Sequence, residues 1–338
     1  MKAYRIKGLR SIGLDEMEAQ PVGENCIKLK NLMCGISSID VGVFTGRFPA
    51  QFPIIPTRQC VGFVSEVGSA VTGGVQRGNR VVAYPQACCH SCKPCKDARY
   101  YACEKQAMFG KGEDGFLSDF SVVSADDVYA IPDRLKDEEA VFTEHTAMAI
   151  NVISKLNIDK GEHIVIVGAT SVGIILAQVA MYHQAVPIVV DMRDELLEAA
   201  RLAGVYYTIN SVEEDVAKKV LALTGGHMAD ACAYILSSPM PLRNVFDYTT
   251  KRGRIALVGR IADDSLTVPL DSIIEKRVDI YSVTDCSKFF PSAINMLANR
   301  TVSIDMLPRR IVSFAEVPAT FEDMATGSND GIKTLVKI

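Results

Sequence analysis

GEHIVIVGATSVGIILAQVAMYHQAVPIVVDMR, residues Gly161 to Arg193, packs two kinds of apolar pattern into one short span. The β-branched run Ile164 to Val167 reads as a strand and stops at Gly168. Apolar residues at helical spacing follow from Val172 to about Tyr182, and a second β-branched run, Ile188 to Val190, ends at Asp191. Strand, tight turn, helix and strand make the unit that carries a dinucleotide in a doubly wound sheet. Gly168 lets the chain leave the strand sharply. The amides of Thr170, Ser171, Val172 and Gly173 open a helix whose positive end faces a pyrophosphate, and Gly173 allows close packing of helix on strand. Asp191 is placed to accept from an adenosine ribose diol and to repel a 2′-phosphate, which favours NAD(H); Arg193 beside it weakens that preference. Val258 and Val283, at the ends of two later strands, complete the expected cofactor-binding set. Thr170 stands where the fingerprint has glycine, so a βαβ unit that binds no nucleotide remains an alternative.

Outward from this unit, helix and strand continue to alternate: helix Asp194 to Ala203, strand Tyr206 to Ile209, helix Glu213 to Leu223, and strands Ala229 to Ile235, Arg254 to Val258 and Val278 to Val283. Such alternation predicts a parallel sheet covered on both faces. Before it, short β-branched runs at Cys26 to Lys30, Gly62 to Val67 and Arg80 to Ala83, separated by Gly, Pro and Asn, suit a small β-barrel. A helical stretch, Val141 to Lys155, joins the two. After it, the segment FPSAINMLANR reads as a helix, and Arg310 to Ser313 and Thr334 to Ile338 read as strands returning to the first domain.

The chain has 338 residues, 48% hydrophobic and 22% charged, which suits about two globular domains. With 36 basic against 40 acidic residues and no basic run, neither a nucleic acid nor an anionic membrane is expected as a partner. Small molecules are. No apolar run approaches the roughly 20 residues that span a bilayer, and the first residues lack a signal-peptide core, so a cytoplasmic location is expected.

Half of the ten cysteines crowd between Cys88 and Cys103. Cys89, Cys92, Cys95 and Cys103 follow the spacing C-x2-C-x2-C-x7-C, which lets four thiolates on an irregular loop close around a structural Zn²⁺. Free thiols and an iron–sulfur cluster are the alternatives. The lobe is drawn at 88–103, with Cys88 spare.

A four-cysteine lobe in an N-terminal β domain, followed by a nucleotide fold, resembles the zinc-containing medium-chain dehydrogenases. The branch of sorbitol, threonine and sugar-acid dehydrogenases is the nearest in look. GISSID near 37, TRQCVGFVSEVG near 60, RGNRVVA near 80, GEDGFLSDFSVV near 116, FTEHTAMAINV and GATSVG carry the likeness over nearly the whole chain. It implies an α/β chain with a GroES-like β-barrel catalytic domain, 1–151 and 286–338, and a Rossmann domain, 152–285, with the cofactor between them. It also implies a homodimer or homotetramer.

The same resemblance exposes a break in the pattern. Where the family reads GICGSD, this chain has Gly35-Ile36-Ser37-Ser38-Ile39-Asp40; its Gly-His-Glu triplet is Thr57-Arg58-Gln59 here; only Glu144 matches a ligand of the catalytic zinc. The relay hydroxyl falls on Ile39 and a further histidine on Gly42. A serine is a poor zinc ligand and a guanidinium is none. Arg58 is therefore expected to pair with Glu144, either as a structural filler or as a cation that polarises a carbonyl or grips a carboxylate. Ser37, Arg58, Gln59, Glu144 and His145 form the expected catalytic set. A relocated metal on Cys34, Cys60, Glu144 and His145 is the alternative, against which strand alternation speaks. The expected function is NAD(H)-dependent alcohol–ketone interconversion on a polyol or sugar acid without catalytic zinc. Reduction of a conjugated carbon–carbon double bond, or nucleotide binding without turnover, are the alternatives.

Overall fold

The computed structural model describes residues 1–338 except Ser238, 261–266, Asp285 and 328–330. The chain separates into two compact units, Met1–Glu144 with Arg309–Ile338, and His145–Pro308. The sequence boundaries at 151/152 and 285/286 thus shift to 144/145 and 308/309, and Asp285 itself lies outside the described residues. The second shift has a visible cause. The segment after the helix Phe290–Ala298 is tied into the second unit, where the Gln178 amide donates to Ser303 O at 2.9 Å and accepts from Ser303 N at 2.8 Å.

In the second unit, six parallel strands lie in the order Tyr207–Asn210, Val186–Asp191, His163–Val167, Ala229–Ile235, Thr249–Val258 and Asp279–Val283. Counted along this unit the order is 3-2-1-4-5-6, the doubly wound arrangement. The central strand HIVIV is buried on both faces, as β-branched runs in covered parallel sheets are. The helix Ser171–Tyr182 is buried along most of its length because it packs on that strand, and a Cβ at Gly173 would stand 1.9 Å from Gly168 O. Any other residue at 173 would push the helix off the sheet.

The first unit is built on a seven-stranded sheet. Its spine is Cys26–Ile36, flanked by Gln59–Val67 on one side and the C-terminal strand Lys333–Lys337 on the other. Ile27, Leu29, Asn31 and Met33 alternate inward while Lys28 and Lys30 do not; from Met33 to Ile36 every residue is buried. Asn31 enters this core because its amide donates to Phe116 O, Ser118 O and Ser121 Oγ. A hairpin, Lys2–Gly8 with Ser11–Glu16, adds a two-stranded sheet absent from the sequence reading. No helix among the described residues is long and apolar enough to cross a membrane.

Candidate active site and cofactor groups

The expected nucleotide residues gather at one edge of the parallel sheet. Gly168 turns with φ 109° at the end of the central strand, and Thr170 is the N-cap of the helix opened by Ser171, Val172 and Gly173. Asp191 ends the neighbouring strand, and Val258 and Val283 stand opposite each other at the ends of the last two. Carboxyl ends of strands beside the point where the order reverses are where such sheets bind ligands. The Thr170 hydroxyl oxygen is buried without a hydrogen-bond partner beside that helix start. An unsatisfied donor next to amides that lack intrahelical acceptors fits a phosphate.

Asp191 is more committed than the sequence implies. It is 2% exposed, and its Oδ2 accepts from Ala169 N at 2.8 Å. Its Oδ1 accepts from Met192 N at 2.8 Å and from Arg193 N and Nε at 3.1 Å each. The carboxylate thus pins the glycine turn to the strand end and is paired with the Arg193 guanidinium.

The four lobe cysteines do come together. Cys92 caps the short helix Lys93–Lys96, Cys95 lies in it, and Cys103 follows the turn Tyr100–Ala102. Their sulfurs all lie within 4.8 Å of one another. A tetrahedron of Zn–S bonds requires about 3.8 Å between sulfurs, so the cage is of the right size. The backbone amides of Ser91 and Cys92 pull the Cys89 thiol down to about 5, while burial and adjacent sulfurs push Cys95 up. Sulfurs that oppose one another's ionisation are what a divalent cation relieves. Among the described residues this is the one cluster of His, Cys, Asp or Glu side chains with such spacing.

The broken catalytic pattern forms a closed polar chain in the first unit. Arg58 Nε donates to Glu144 Oε1 at 2.9 Å, and its Nη1 donates to Ser37 Oγ at 2.7 Å. The Ser37 hydroxyl donates in turn to Asp40 Oδ2 at 2.6 Å, whose other oxygen accepts from Thr57 N at 2.8 Å. Gln59 Nε2 donates to Glu144 Oε2. Ser37 and Glu144 are thus joined through a guanidinium, a donor-only group, and the set does not suit a metal. Thr57, next to Arg58, holds φ 72°, a left-handed value unusual for a β-branched residue.

His145 follows Glu144 directly in the helix Thr143–Leu156 and begins the second unit. Cys34 and Cys60 are register partners in the core of the first unit, donating to Phe116 O and Asn31 Oδ1. They pack as small apolar residues do. Two members of the chain were missed in the sequence. Asp40 was hidden as a first-turn helix acid, and Lys333 as an ordinary strand end; Lys333 donates to Ile36 O at 2.9 Å and to Gln59 Oε1.

Comparison with known proteins agrees with this fold. Residues 23–133 match the alcohol dehydrogenase GroES-like domain, and residues 171–299 match the zinc-binding dehydrogenase family. An uncharacterized zinc-type alcohol dehydrogenase-like protein of Haemophilus influenzae is 27% identical over 98% of this chain and 97% of its own length. A sorbitol dehydrogenase of Bacillus subtilis is 25% identical over 99% and 97%. A short chain alcohol dehydrogenase of Escherichia coli CFT073, solved with NADH, superposes with a TM-score of 0.90 at 23% identity, covering 100% of this chain and 99% of that one.

Proposed function

Because the chain belongs to the zinc-type alcohol dehydrogenase-like family of medium-chain dehydrogenases and is an NAD(P)-dependent oxidoreductase, we propose that it interconverts an alcohol and a ketone without a catalytic zinc. The substrate in this reading is a small polyol or sugar acid, after the sorbitol dehydrogenase to which the chain is similar, and the cofactor is NAD(H). The observation that carries it is the Arg58 guanidinium held between Ser37 and Glu144.

A nicotinamide, when bound, supplies or accepts the hydride. The chain must then stabilise an oxygen on which charge develops and move one proton. Arg58 is a permanent cation fixed by two hydrogen bonds, suited to the first task and unable to release a proton at neutral pH. Ser37 suits the second. Its hydroxyl donates to Asp40 and accepts from Arg58, so Ser37 acts as a relay: its oxygen takes the proton of a substrate hydroxyl as its own proton passes to the Asp40 carboxylate, and the reverse on reduction. Reduction of a carbon–carbon double bond conjugated to a carbonyl is favoured by one feature, the buried Ile39 where the resemblance implies a relay hydroxyl. A homo-oligomer joined through the outermost strand Asp279–Val283 completes the reading.

The test is a screen of polyols, sugar acids and enones with NAD(H) and NADP(H), followed at 340 nm, with zinc counted on the same sample. Turnover with one zinc per chain, and a fall in kcat of about 100-fold in Arg58→Ala, is the expected result. Unchanged kinetics in that variant, or a second zinc, overturns it. NADH binding without hydride exchange on any compound makes the chain a non-catalytic nucleotide binder.

A further inference from the structure

Lys333 sits on the last strand beside Cys26–Ile36, 6% exposed, and among the described residues its hydrogen-bond acceptors, Ile36 O and Gln59 Oε1, are neutral oxygens. Burying an ammonium on neutral oxygens is costly, and an apolar residue there would avoid the cost. The lysine is coupled to something else. Its bond to Gln59 Oε1 determines how that amide faces: oxygen toward the ammonium, Nε2 toward Glu144. The reversed amide would set NH₂ against ammonium and oxygen against carboxylate, two repulsive contacts. With Gln59 so turned, Glu144 has one oxygen on the amide and the other on Arg58, and Arg58 reaches Ser37.

The spine strand is kept clear for this contact. A Cβ at Gly35 would lie 2.5 Å from Gln59 Oε1 and 2.9 Å from Lys333 Nζ, so no larger residue fits while the pair is formed. The charges around Lys333 are Arg58, which opposes its protonation, and Asp40 and Glu144, which favour it. The two carboxylates come from different elements: Asp40 from the helix Ser38–Thr45 and Glu144 from the helix Thr143–Leu156.

We propose that Lys333 is a positioning residue for the reaction: it fixes the Gln59 amide, the amide fixes the Glu144 carboxylate, and the carboxylate holds Arg58 against Ser37. This rests on the reading of Arg58 as the group that stabilises the substrate oxygen.

The test reads Arg58 directly and needs no substrate. In protein labelled with ¹⁵N-arginine, the Arg58 Nε–H signal is identified by its loss in Arg58→Lys. A hydrogen bond to a carboxylate shifts that proton downfield and slows its exchange with water. Lys333→Met is expected to move the signal and speed its exchange at least about ten-fold, and Lys333→Arg to keep it near wild type. Gln59→Leu, which breaks the same chain and leaves the lysine in place, is expected to act like Lys333→Met and serves if that variant does not fold. An Arg58 Nε–H signal unchanged in either variant overturns the proposal, whatever turnover does. Unchanged turnover in Arg58→Ala would instead remove Arg58 from the chemistry without altering this signal.

Discussion

Arg58 and Glu144 meet at 2.9 Å with side chains only 12% and 11% exposed. A pair this enclosed behaves differently from a surface ion pair. Removing one partner strands a charge, whereas removing both strands none. Arg58→Ala or Glu144→Ala is therefore expected to lower the unfolding free energy by about 3 kcal/mol each. The double variant should lose much less than the sum, giving a coupling of at least about 1 kcal/mol in denaturant unfolding. Additive losses would show that the two groups do not depend on each other.

The cysteine lobe makes a separate prediction. One zinc per chain is expected in metal analysis, and Cys95→Ser, which removes a buried member of the cage, should yield a chain without bound zinc and with a lower unfolding midpoint. Structural zinc contributes on the order of 10 kcal/mol in small peptides, so the loss should also show as proteolysis within 88–103. A Cys95→Ser chain that keeps one equivalent of zinc would exclude the four-cysteine cage.

The Arg193 guanidinium lies 3.1 Å from Asp191 and offsets the charge that would repel a 2′-phosphate. The wild type should therefore bind NADPH within about ten-fold of NADH by fluorescence titration, about 1.4 kcal/mol. Arg193→Ala should lose about ten-fold in NADPH affinity and less than about two-fold for NADH. Equal effects on both cofactors would mean that Arg193 serves only to hold the turn.

What the sequence displayed and what it hid follow from distance along the chain. Ile164–Val167, Gly168, the helix and Asp191 are contiguous, and their order alone specified the nucleotide unit. The cysteine cluster was equally plain, because its four members span 89 to 103. The hairpin Lys2–Gly8 with Ser11–Glu16 was not, since its two loop residues are Leu9 and Arg10, the latter at φ 51°, and not the glycine or asparagine that marks such positions. Arg58 and Glu144 were paired only through the resemblance. Lys333 was out of reach because it meets Gln59 through the pairing of Lys333–Lys337 with Cys26–Ile36, a long-range contact that KTLVK does not announce. Asp191 does end its strand, yet its acceptors are taken by Ala169, Met192 and Arg193, which depends on how the turn folds over the strand end.

Lys333 leaves a trace in the pH dependence of stability. Burial, and then the nearby Arg58 charge, push its amine down to about 8 from the usual 10.5. Below about pH 8 the folded and unfolded chains both carry the proton, and the cost of burying the cation is felt in full. Between about 8 and 10.5 the unfolded chain is protonated and the folded chain is not, so the unfolded state binds more protons and stability rises with pH. Above that window both are neutral and the cost is gone. In urea unfolding, the wild type should therefore gain on Lys333→Met as pH is raised through this window, by up to about 3 kcal/mol. Taking the difference between the two proteins cancels every other titrating group. A difference that stays flat from pH 7 to 10 would mean that Lys333 titrates as an exposed lysine does and is not enclosed beside Gln59.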